Sequence, residues 1–133
     1  MEGENGDIIR KYIQQVWQAG NYRVIDEQLA PDFEFYVSIT NEVKDKYWYS
    51  RFVPTMRQPF VNIKVEVISL VEGGNDVAVY FRMSGKQVDK AFGIDSQGKQ
   101  TIIDIMSIFE LEDGLIKRCR SVTDLAGLKA KLK

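Results

Sequence analysis

The chain has 133 residues, 44% of them hydrophobic and 28% charged, which is the composition of a soluble domain with one buried core. Lysine and arginine number 18 against 19 aspartate and glutamate, so the net charge of −1 favours neither nucleic acid nor an anionic membrane as a partner. With no histidine and one cysteine, the sequence excludes an internal disulfide, His-centred triads and the usual zinc sites.

The amino-terminal segment argues against export and membrane insertion. Residues Met1 to Asp7 are polar and rich in glycine, unlike a signal peptide. No apolar run approaches the ~20 residues that a membrane span needs. We therefore expect a cytoplasmic protein, and the absence of repeats, linkers and low-complexity tracts predicts a single domain over residues 1–133.

The first half of the chain carries helical patterns. Asp7 is predicted to cap the first helix, because the apolar residues that follow it form one stripe at helical spacing. Proline ends the second helix, and Pro54 is predicted to break or kink the third. The predicted elements are helices from Asp7 to Gly20, from Asn21 to Pro31 and from Glu42 to Phe52, with one strand at about 33–39.

The second half of the chain carries strand patterns separated by Gly-rich turns. The predicted strands are Asn62–Val71, Val77–Ser84, Thr101–Leu111 and Leu115–Thr123. Helices followed by long antiparallel strands predict an α+β domain, in which a curved sheet wraps around the helical stripes. We expect a cavity between the sheet and the helices.

The last two strands can be placed in register from their turn. Asp113-Gly114 is the strongest short-range signal for a two-residue hairpin, so Glu112 is predicted to face Leu115. Counting back from that pair puts ten side chains on one face: Ile103, Ile105, Ser107, Phe109, Leu111, Ile116, Arg118, Arg120, Val122 and Asp124. The opposite face is more polar, so this face is predicted to be concave and helix-covered. A few polar groups in an apolar hollow are typical of a ligand pocket.

Several stretches resemble a known family. "VWQAGNYRVIDEQLAPDFEFY" resembles the first two helices and first strand of the SnoaL-like polyketide cyclases, within the nuclear transport factor 2-like superfamily. "VAVYFRMSGKQ", "FGIDSQGKQ" and "IFELEDGLIKRCRSVTDLAGLKAKL" are similar to the later strands, turn and closing helix of that family. The resemblance implies a cone-shaped α+β barrel of a curved, mostly antiparallel sheet around the N-terminal helices. It also implies a pocket and a homodimer formed through the outside of the sheet.

The resemblance also implies a catalytic residue. In the cyclases, an acidic residue at the end of the last strand is the general base that removes a proton next to a carbonyl, and by position this residue is Asp124. The chain departs from the family pattern at three positions. It has Tyr36 and Ser107 where those enzymes often carry histidine and aspartate, and Arg120 replaces a frequent aromatic residue.

Asp124 has two readings from the residues themselves. Its carboxylate can cap the helix that follows by accepting the N–H of Ala126 or Gly127, which stabilises a helix by ~1 kcal/mol. It can also act as a base in the pocket. A helix N-terminus favours the ionised carboxylate and weakens the base, whereas burial beside Ile103 and Val122 favours the neutral acid. Both readings stay open.

Arg120 also has two readings. On an apolar face an unpaired charge costs several kcal/mol, so Arg120 pairs with Asp124 or an acidic helix residue, or else binds an anionic or carbonyl-bearing ligand. Four aromatic residues, Tyr36, Tyr47, Trp48 and Phe52, are predicted to pack in the core, and the alternative role for Tyr36, Trp48 and Phe52 is to line the pocket.

Small polar side chains complete the candidate site. Ser107 is predicted to donate a hydrogen bond and not to act as a nucleophile, because no histidine is available to activate it. Cys119 and Asp104 are predicted to lie on the outer face of the sheet, where Cys119 is inert.

Two functions are compatible with these patterns. The first is a cofactor-independent and metal-independent cyclase or isomerase acting on a small apolar carbonyl compound, with Asp124 transferring the proton. Arg120, Ser107 or Tyr36 would then stabilise the developing oxyanion. The second is a non-catalytic ligand-binding or protein-interaction domain of the same fold.

Overall fold

A computed structural model of the protein describes residues 3–37, 40–91, 98 and 100–123. It confirms the predicted α+β class. The elements in chain order are α1 (Glu4–Ile13), a π-helical turn (Gln14–Gln18), α2 (Arg23–Gln28), β1 (Leu29–Val37), β2 (Glu42–Asp45), α3 (Lys46–Arg57), β3 (Phe60–Gly73), β4 (Asp76–Gln87), β5 (Gln100–Glu112) and β6 (Leu115–Thr123). Among the described residues, no helix has both the length and the apolar character that crossing a membrane requires.

The six strands form one curved, unclosed sheet in the order β2-β1-β6-β5-β4-β3. Strands β1 and β6 are parallel, and the other neighbouring pairs are antiparallel. The helices cover one face of the sheet, which we call the inner face. The other face is the outer face.

The core lies between α1 and the inner face. The apolar stripe of α1 and the π-helical turn is fully or almost fully buried: Ile9, Tyr12, Ile13 and Val16. Burial alternates strictly along most of β4 and β5, because neighbouring side chains of a strand point to opposite faces. Each fully buried large apolar side chain contributes about 1.5–3 kcal/mol relative to an exposed one.

Helix α1 begins at Glu4, three residues before the predicted cap Asp7, which lies in its first turn. The cap comes from the sheet instead. The Glu72 carboxylate of β3 accepts hydrogen bonds from the backbone N–H groups of Gly3 (3.0 Å) and Gly6 (2.6 Å). A tertiary contact therefore determines where this helix starts, and local sequence does not reveal it.

The second predicted helix is shorter than expected, and Pro31 does not end it. Leu29 already begins β1, and Pro31 lies inside this strand, between Leu29 and Glu34, where the β1–β6 register shifts. A missing backbone N–H is tolerated at such an irregularity. The Lys46 ammonium group donates to the carbonyls of Asp26 (2.9 Å) and Leu29 (3.0 Å), so α3 contributes to the end of α2.

The third predicted helix divides into a strand and a later helix. Residues Glu42–Asp45 form β2 at the edge of the sheet, and Asp45 then caps α3 by accepting from the Trp48 N–H at 2.9 Å. Helix α3 continues through Pro54 to Arg57, so the predicted break does not occur there, and the alternative of a kink stays a prediction. Burial of Val53, which is fully inaccessible to solvent, offsets the backbone hydrogen bond lost at the proline.

The β5–β6 hairpin starts as predicted. Asp113 and Gly114 both have positive φ (53° and 79°), as a type I′ turn requires. Beyond Leu111, which pairs with Ile116, the register shifts by one residue, and Glu110 pairs with Arg118. The extra residue of this β-bulge is Lys117.

The bulge reverses the faces of the rest of β6. Cys119, Ser121 and Thr123 belong to the inner-face set, whereas Arg120 and Val122 are exposed on the outer face. The predicted inner positions of Arg118, Arg120 and Val122 and the predicted outer position of Cys119 are therefore wrong.

The β-bulge in β6 avoids the free-energy cost of burying charged side chains. Uninterrupted pairing would carry two arginines into the apolar interior. The bulge instead places Arg118 on the outer face, 2.9 Å from the carboxylate of Glu34 and 2.7 Å from that of Glu110. It also lets the Lys117 ammonium group reach Asp32 at 2.6 Å.

Candidate functional site

A cavity of about 280 Å³ lies between the inner face and the helices. Its walls come from the π-helical turn, α3 and strands β1, β4, β5 and β6. Trp48, Phe52 and Met56 of α3 are only half-buried, so this end of the cavity lies near the protein surface.

Four aromatic rings form one side of the cavity, which we call the aromatic wall: Phe35, Trp48, Tyr49 and Phe52. The Trp48 ring is nearly parallel to that of Phe52 (17°, centroids 4.8 Å apart) and to that of Phe35 (19°, 6.0 Å). Residues 48 and 52 stand one helical turn apart on α3, which aligns their rings. Flat apolar surfaces of this kind suit a flat, unsaturated ligand.

Polar groups on the sheet side of the cavity are hydroxyls and one thiol. Ser107 Oγ lies 2.7 Å from Ser121 Oγ, and Ser121 Oγ lies 3.4 Å from Cys119 Sγ. Burial raises the pKa of the Cys119 thiol to about 12, so this group stays protonated at neutral pH. We call these three side chains the hydroxyl chain.

A second polar contact lies deeper in the core. The hydroxyls of Tyr12 and Tyr49 are 3.0 Å apart, and Tyr49 also contributes to the cavity wall. Burial raises the pKa of both phenols above the ordinary value, so both are neutral. This pair satisfies two buried phenols that would otherwise be costly to bury.

The described wall of the cavity carries no formal charge. None of its residues in the described part of the chain is Asp, Glu, Lys or Arg. Within the same part of the chain, no group of three or more cysteine, aspartate or glutamate side chains could hold a metal ion. The described part of the wall therefore suits an uncharged ligand with few hydrogen-bonding atoms.

Six of the residues singled out from the sequence lie on the cavity wall: Trp48, Phe52, Ile103, Ile105, Ser107 and Phe109. Their contact with a ligand stays a prediction. Asp124 lies outside the described residues, and so does the predicted contact between Asp124 and Arg120. The preceding residue, Thr123, lies on the cavity wall.

Tyr36, Arg120 and Val122 lie elsewhere. The Arg120 guanidinium stands 4.0 Å from the centre of the Tyr36 ring, and all three side chains line a groove of about 650 Å³ on the outer face. Tyr36 is on the outer side of β1 because its neighbours Phe35 and Val37 face the cavity. The predicted pocket positions of these three residues are wrong.

The cavity wall contains further residues that the sequence patterns did not predict, among them Trp17, Tyr49, Cys119 and Ser121. One signal could have identified the two β6 residues. Uninterrupted alternation from Ile116 places arginines 118 and 120 inside, and their desolvation cost argues for a bulge.

The outer face combines charge with exposed apolar side chains. Asp104 points outward as predicted, 2.8 Å from Arg82 Nε and 3.0 Å from the Tyr80 hydroxyl. Three large apolar side chains beside this cluster are more than half exposed: Met106 (61%), Ile108 (51%) and Val122 (60%). A patch of this kind is typical of a surface that another protein chain covers.

Comparisons with known proteins agree with the fold. The family model described as the SnoaL-like domain matches residues 9–119. TsrD from Streptomyces laurentii is 20% identical, with a TM-score of 0.85 over 99% of this chain and 97% of that chain. A SnoaL-like polyketide cyclase from Agrobacterium tumefaciens is 13% identical, with a TM-score of 0.82 over 99% of this chain and 100% of that chain. At these identities the likeness concerns the fold. No curated protein matches the sequence.

Proposed function

Given that the chain belongs to the SnoaL-like domain family, we propose that it is a small-molecule cyclase or isomerase whose inner cavity binds an uncharged, mostly apolar carbonyl compound. The observation that supports this proposal is the composition of the cavity wall. Aromatic and aliphatic side chains surround a few neutral hydroxyl groups, and the described wall offers no charge to an ionic ligand.

Asp124 is the proposed general base. This assignment rests on the resemblance to the cyclases, whose base lies at the end of the last strand, because the alternation that places Thr123 on the cavity wall ends with the described part of β6. The carboxylate would take a proton from the carbon next to the carbonyl, and the electron pair of the broken C–H bond would move into an enolate. The enolate carbon then attacks a second carbonyl carbon of the same molecule, whose C=O π bond opens to an alkoxide that takes the proton back from Asp124. In the isomerase alternative, a different carbon of the enolate receives that proton. Positioned acid–base groups of this kind contribute roughly 10²–10⁴ in rate.

The developing enolate oxygen needs a hydrogen-bond donor. Arg120 and Tyr36 are poorly placed for this role, because they lie on the outer face. Ser107 remains, since its hydroxyl lies on the cavity wall. A neutral donor in a site that excludes water stabilises negative charge more than the same donor does in water.

Proton abstraction can be tested without the natural substrate. We expect the protein to accelerate exchange of the α protons of 2-tetralone for deuterium in D₂O, measured by NMR, and Asp124→Asn to reduce this exchange by about 10² or more. Asp113→Asn is the matched control, because it removes an exposed carboxylate from the β5–β6 turn.

Undiminished exchange in Asp124→Asn would remove the assignment of the base. If the unmodified protein binds the ketone but does not accelerate exchange, it is a binding domain and not an enzyme of this class.

We further propose a homodimer formed through the outer face. The apolar side chains of Met106, Ile108 and Val122 are exposed there, beside charged groups of both signs. A two-fold contact matches such a surface with a copy of itself, so opposite charges and apolar patches can meet.

A further inference from the structure

The two serines of the hydroxyl chain lie in the middle of the inner face. Cross-strand pairing runs from Val37 of β1 to Ser121 of β6, then to Ser107 of β5 and Val79 of β4. A neighbouring row of the same face consists of Phe35, Cys119, Phe109 and Val77. Apolar side chains therefore border the serines, and Ser107 is only 3% exposed.

The hydroxyl chain has one more hydrogen-bond donor than the contacts among its three side chains use. Ser107, Ser121 and Cys119 each carry one proton on oxygen or sulfur, because the Cys119 thiol stays protonated at neutral pH. Two contacts join the three groups, and each contact uses one proton. One proton therefore remains for a further acceptor, and no other hydrogen bond to these three side-chain groups occurs within the described part of the chain.

The direction of the chain determines where this proton lies. If the Cys119 thiol donates to Ser121 and Ser121 donates to Ser107, the remaining O–H belongs to Ser107. If Ser107 and Cys119 both donate to Ser121, the remaining O–H belongs to Ser121. In the third arrangement Ser107 donates to Ser121 and Ser121 to Cys119, and the remaining donor is the thiol, which is much weaker. A ligand acceptor therefore favours an arrangement that leaves a hydroxyl, and an acceptor beside Ser107 selects the first one, in which each bond polarises the next.

We infer that the hydroxyl chain is a carbonyl-recognition subsite, in which the Ser107 hydroxyl donates to one carbonyl oxygen of an uncharged ligand whose flat, unsaturated part lies against the aromatic wall. This inference rests on the proposed function, because it assumes that the inner cavity binds a small molecule. It adds the ligand class, a planar ring system bearing a carbonyl, and two recognition residues, Ser121 and Cys119.

The protein offers a direct optical readout. Its two tryptophans, Trp17 and Trp48, both line the cavity, so a ligand in the cavity changes all of the tryptophan fluorescence. The probe pair is 2-acetylnaphthalene and 2-ethylnaphthalene, which have the same ring system and differ in the carbonyl oxygen. We expect the acetyl compound to bind about fivefold to tenfold more tightly, as one net hydrogen bond allows.

Substitutions then locate the donor. In the double variant Ser107→Ala/Ser121→Ala the ratio of the two dissociation constants should fall below about twofold, with the ethyl compound bound as before. Ser121→Thr, which keeps the hydroxyl, should retain most of the ratio. Ser69→Ala removes an exposed hydroxyl from the outer face and should leave the ratio of the two dissociation constants unchanged. Melting temperatures identify any variant that loses its fold, and in that case the single variant Ser107→Ala takes its place.

The outcomes separate this inference from the proposed function. If both compounds bind equally, or if the serine variants keep the ratio, the subsite is wrong although the cavity binds ligands. If neither compound changes the tryptophan fluorescence or binds by calorimetry, the proposed ligand class is wrong and the subsite is wrong with it.

Discussion

Ser107 Oγ lies 2.7 Å from Ser121 Oγ on the neighbouring strand, in the position that an uninterrupted count from the hairpin turn assigns to Arg120. One extra residue, Lys117, separates the two arrangements. This bulge controls the chemistry of the cavity. It places Cys119, Ser121 and Thr123 on the inner face, where uninterrupted pairing would place Arg118, Arg120 and Val122.

Deletion of Lys117 should therefore be tolerated. Without the extra residue, β6 can pair continuously with Ile116 still opposite Leu111 and Arg118 still opposite Glu110, so both arginines stay on the outer face. Lys117→Ala is the matched control, because it keeps the bulge and loses only the contact with Asp32. We expect the deletion variant and this control to unfold at nearly the same urea concentration. A deletion variant that is much less stable than the control would contradict the assignment of Lys117 as the extra residue.

Replacement of Glu72 should weaken the start of α1. Its carboxylate accepts two backbone N–H groups of that helix, at Gly3 and Gly6, and it also lies at the positive end of the helix dipole. Glu72→Gln should lower the free energy of unfolding by about 1 kcal/mol, measured by urea denaturation at low salt. Glu66→Gln, on the exposed side of the same strand, should change it much less. Equal effects of the two substitutions would show that the cap contributes nothing specific.

The stability of the protein should fall at alkaline pH because of Cys119. Burial raises the pKa of this thiol to about 12, whereas in the unfolded chain it ionises near the ordinary value of 9.0. Above pH 9 the unfolded state therefore releases a proton that the folded state keeps. The contribution of the thiol to the free energy of unfolding is complete below pH 9, and it decreases as the pH rises towards 12. Between pH 8 and pH 10, Cys119→Ala should lose about 1 kcal/mol less of its unfolding free energy than the unmodified protein.

A control for the alkaline experiment is available on the same strand. Ser121→Ala removes a polar contact of Cys119 without removing the ionisable group, so it should retain the alkaline loss of stability. In addition, DTNB should react with Cys119, which is the only cysteine of the chain and is 1% exposed, only after unfolding. Rapid reaction in native buffer would show that the thiol is accessible and that burial does not control its pKa.

A charge added to the apolar patch of the outer face should prevent the proposed homodimer. Val122→Lys introduces a lysine in the middle of the exposed apolar patch, where two copies would have to bury it. We expect sedimentation equilibrium to show a dimer for the unmodified protein and a monomer, or a dimer at least 10² weaker, for the variant. Val88→Lys is the control, because Val88 is exposed to a similar degree (50%) just beyond the end of β4. A monomer at all concentrations in the unmodified protein would exclude the dimer.

The sequence by itself determined the parts of the fold that depend on local periodicity. The α+β class, the buried stripe of α1, the alternation along β4 and β5 and the type I′ turn at Asp113-Gly114 all follow from the spacing of apolar residues and from turn chemistry. Positions on β5, including Ser107 and Phe109, were therefore placed on the correct face. The family also followed from the sequence, through loose motifs spread along most of the chain.

Only the tertiary structure decided where side chains of β6 point. The bulge at Lys117 depends on contacts with residues distant in sequence, because Asp32 and Glu34 of β1 attract the charges that leave the inner face. The same applies to the cap on α1, which Glu72 supplies from a strand that lies far along the chain. Local sequence patterns determine the periodicity of a helix or strand. The register and the ends of that element depend on desolvation and on hydrogen bonds to distant parts of the fold. In β6, the single extra residue Lys117 places Ser121 in the cavity and Arg120 on the outer face.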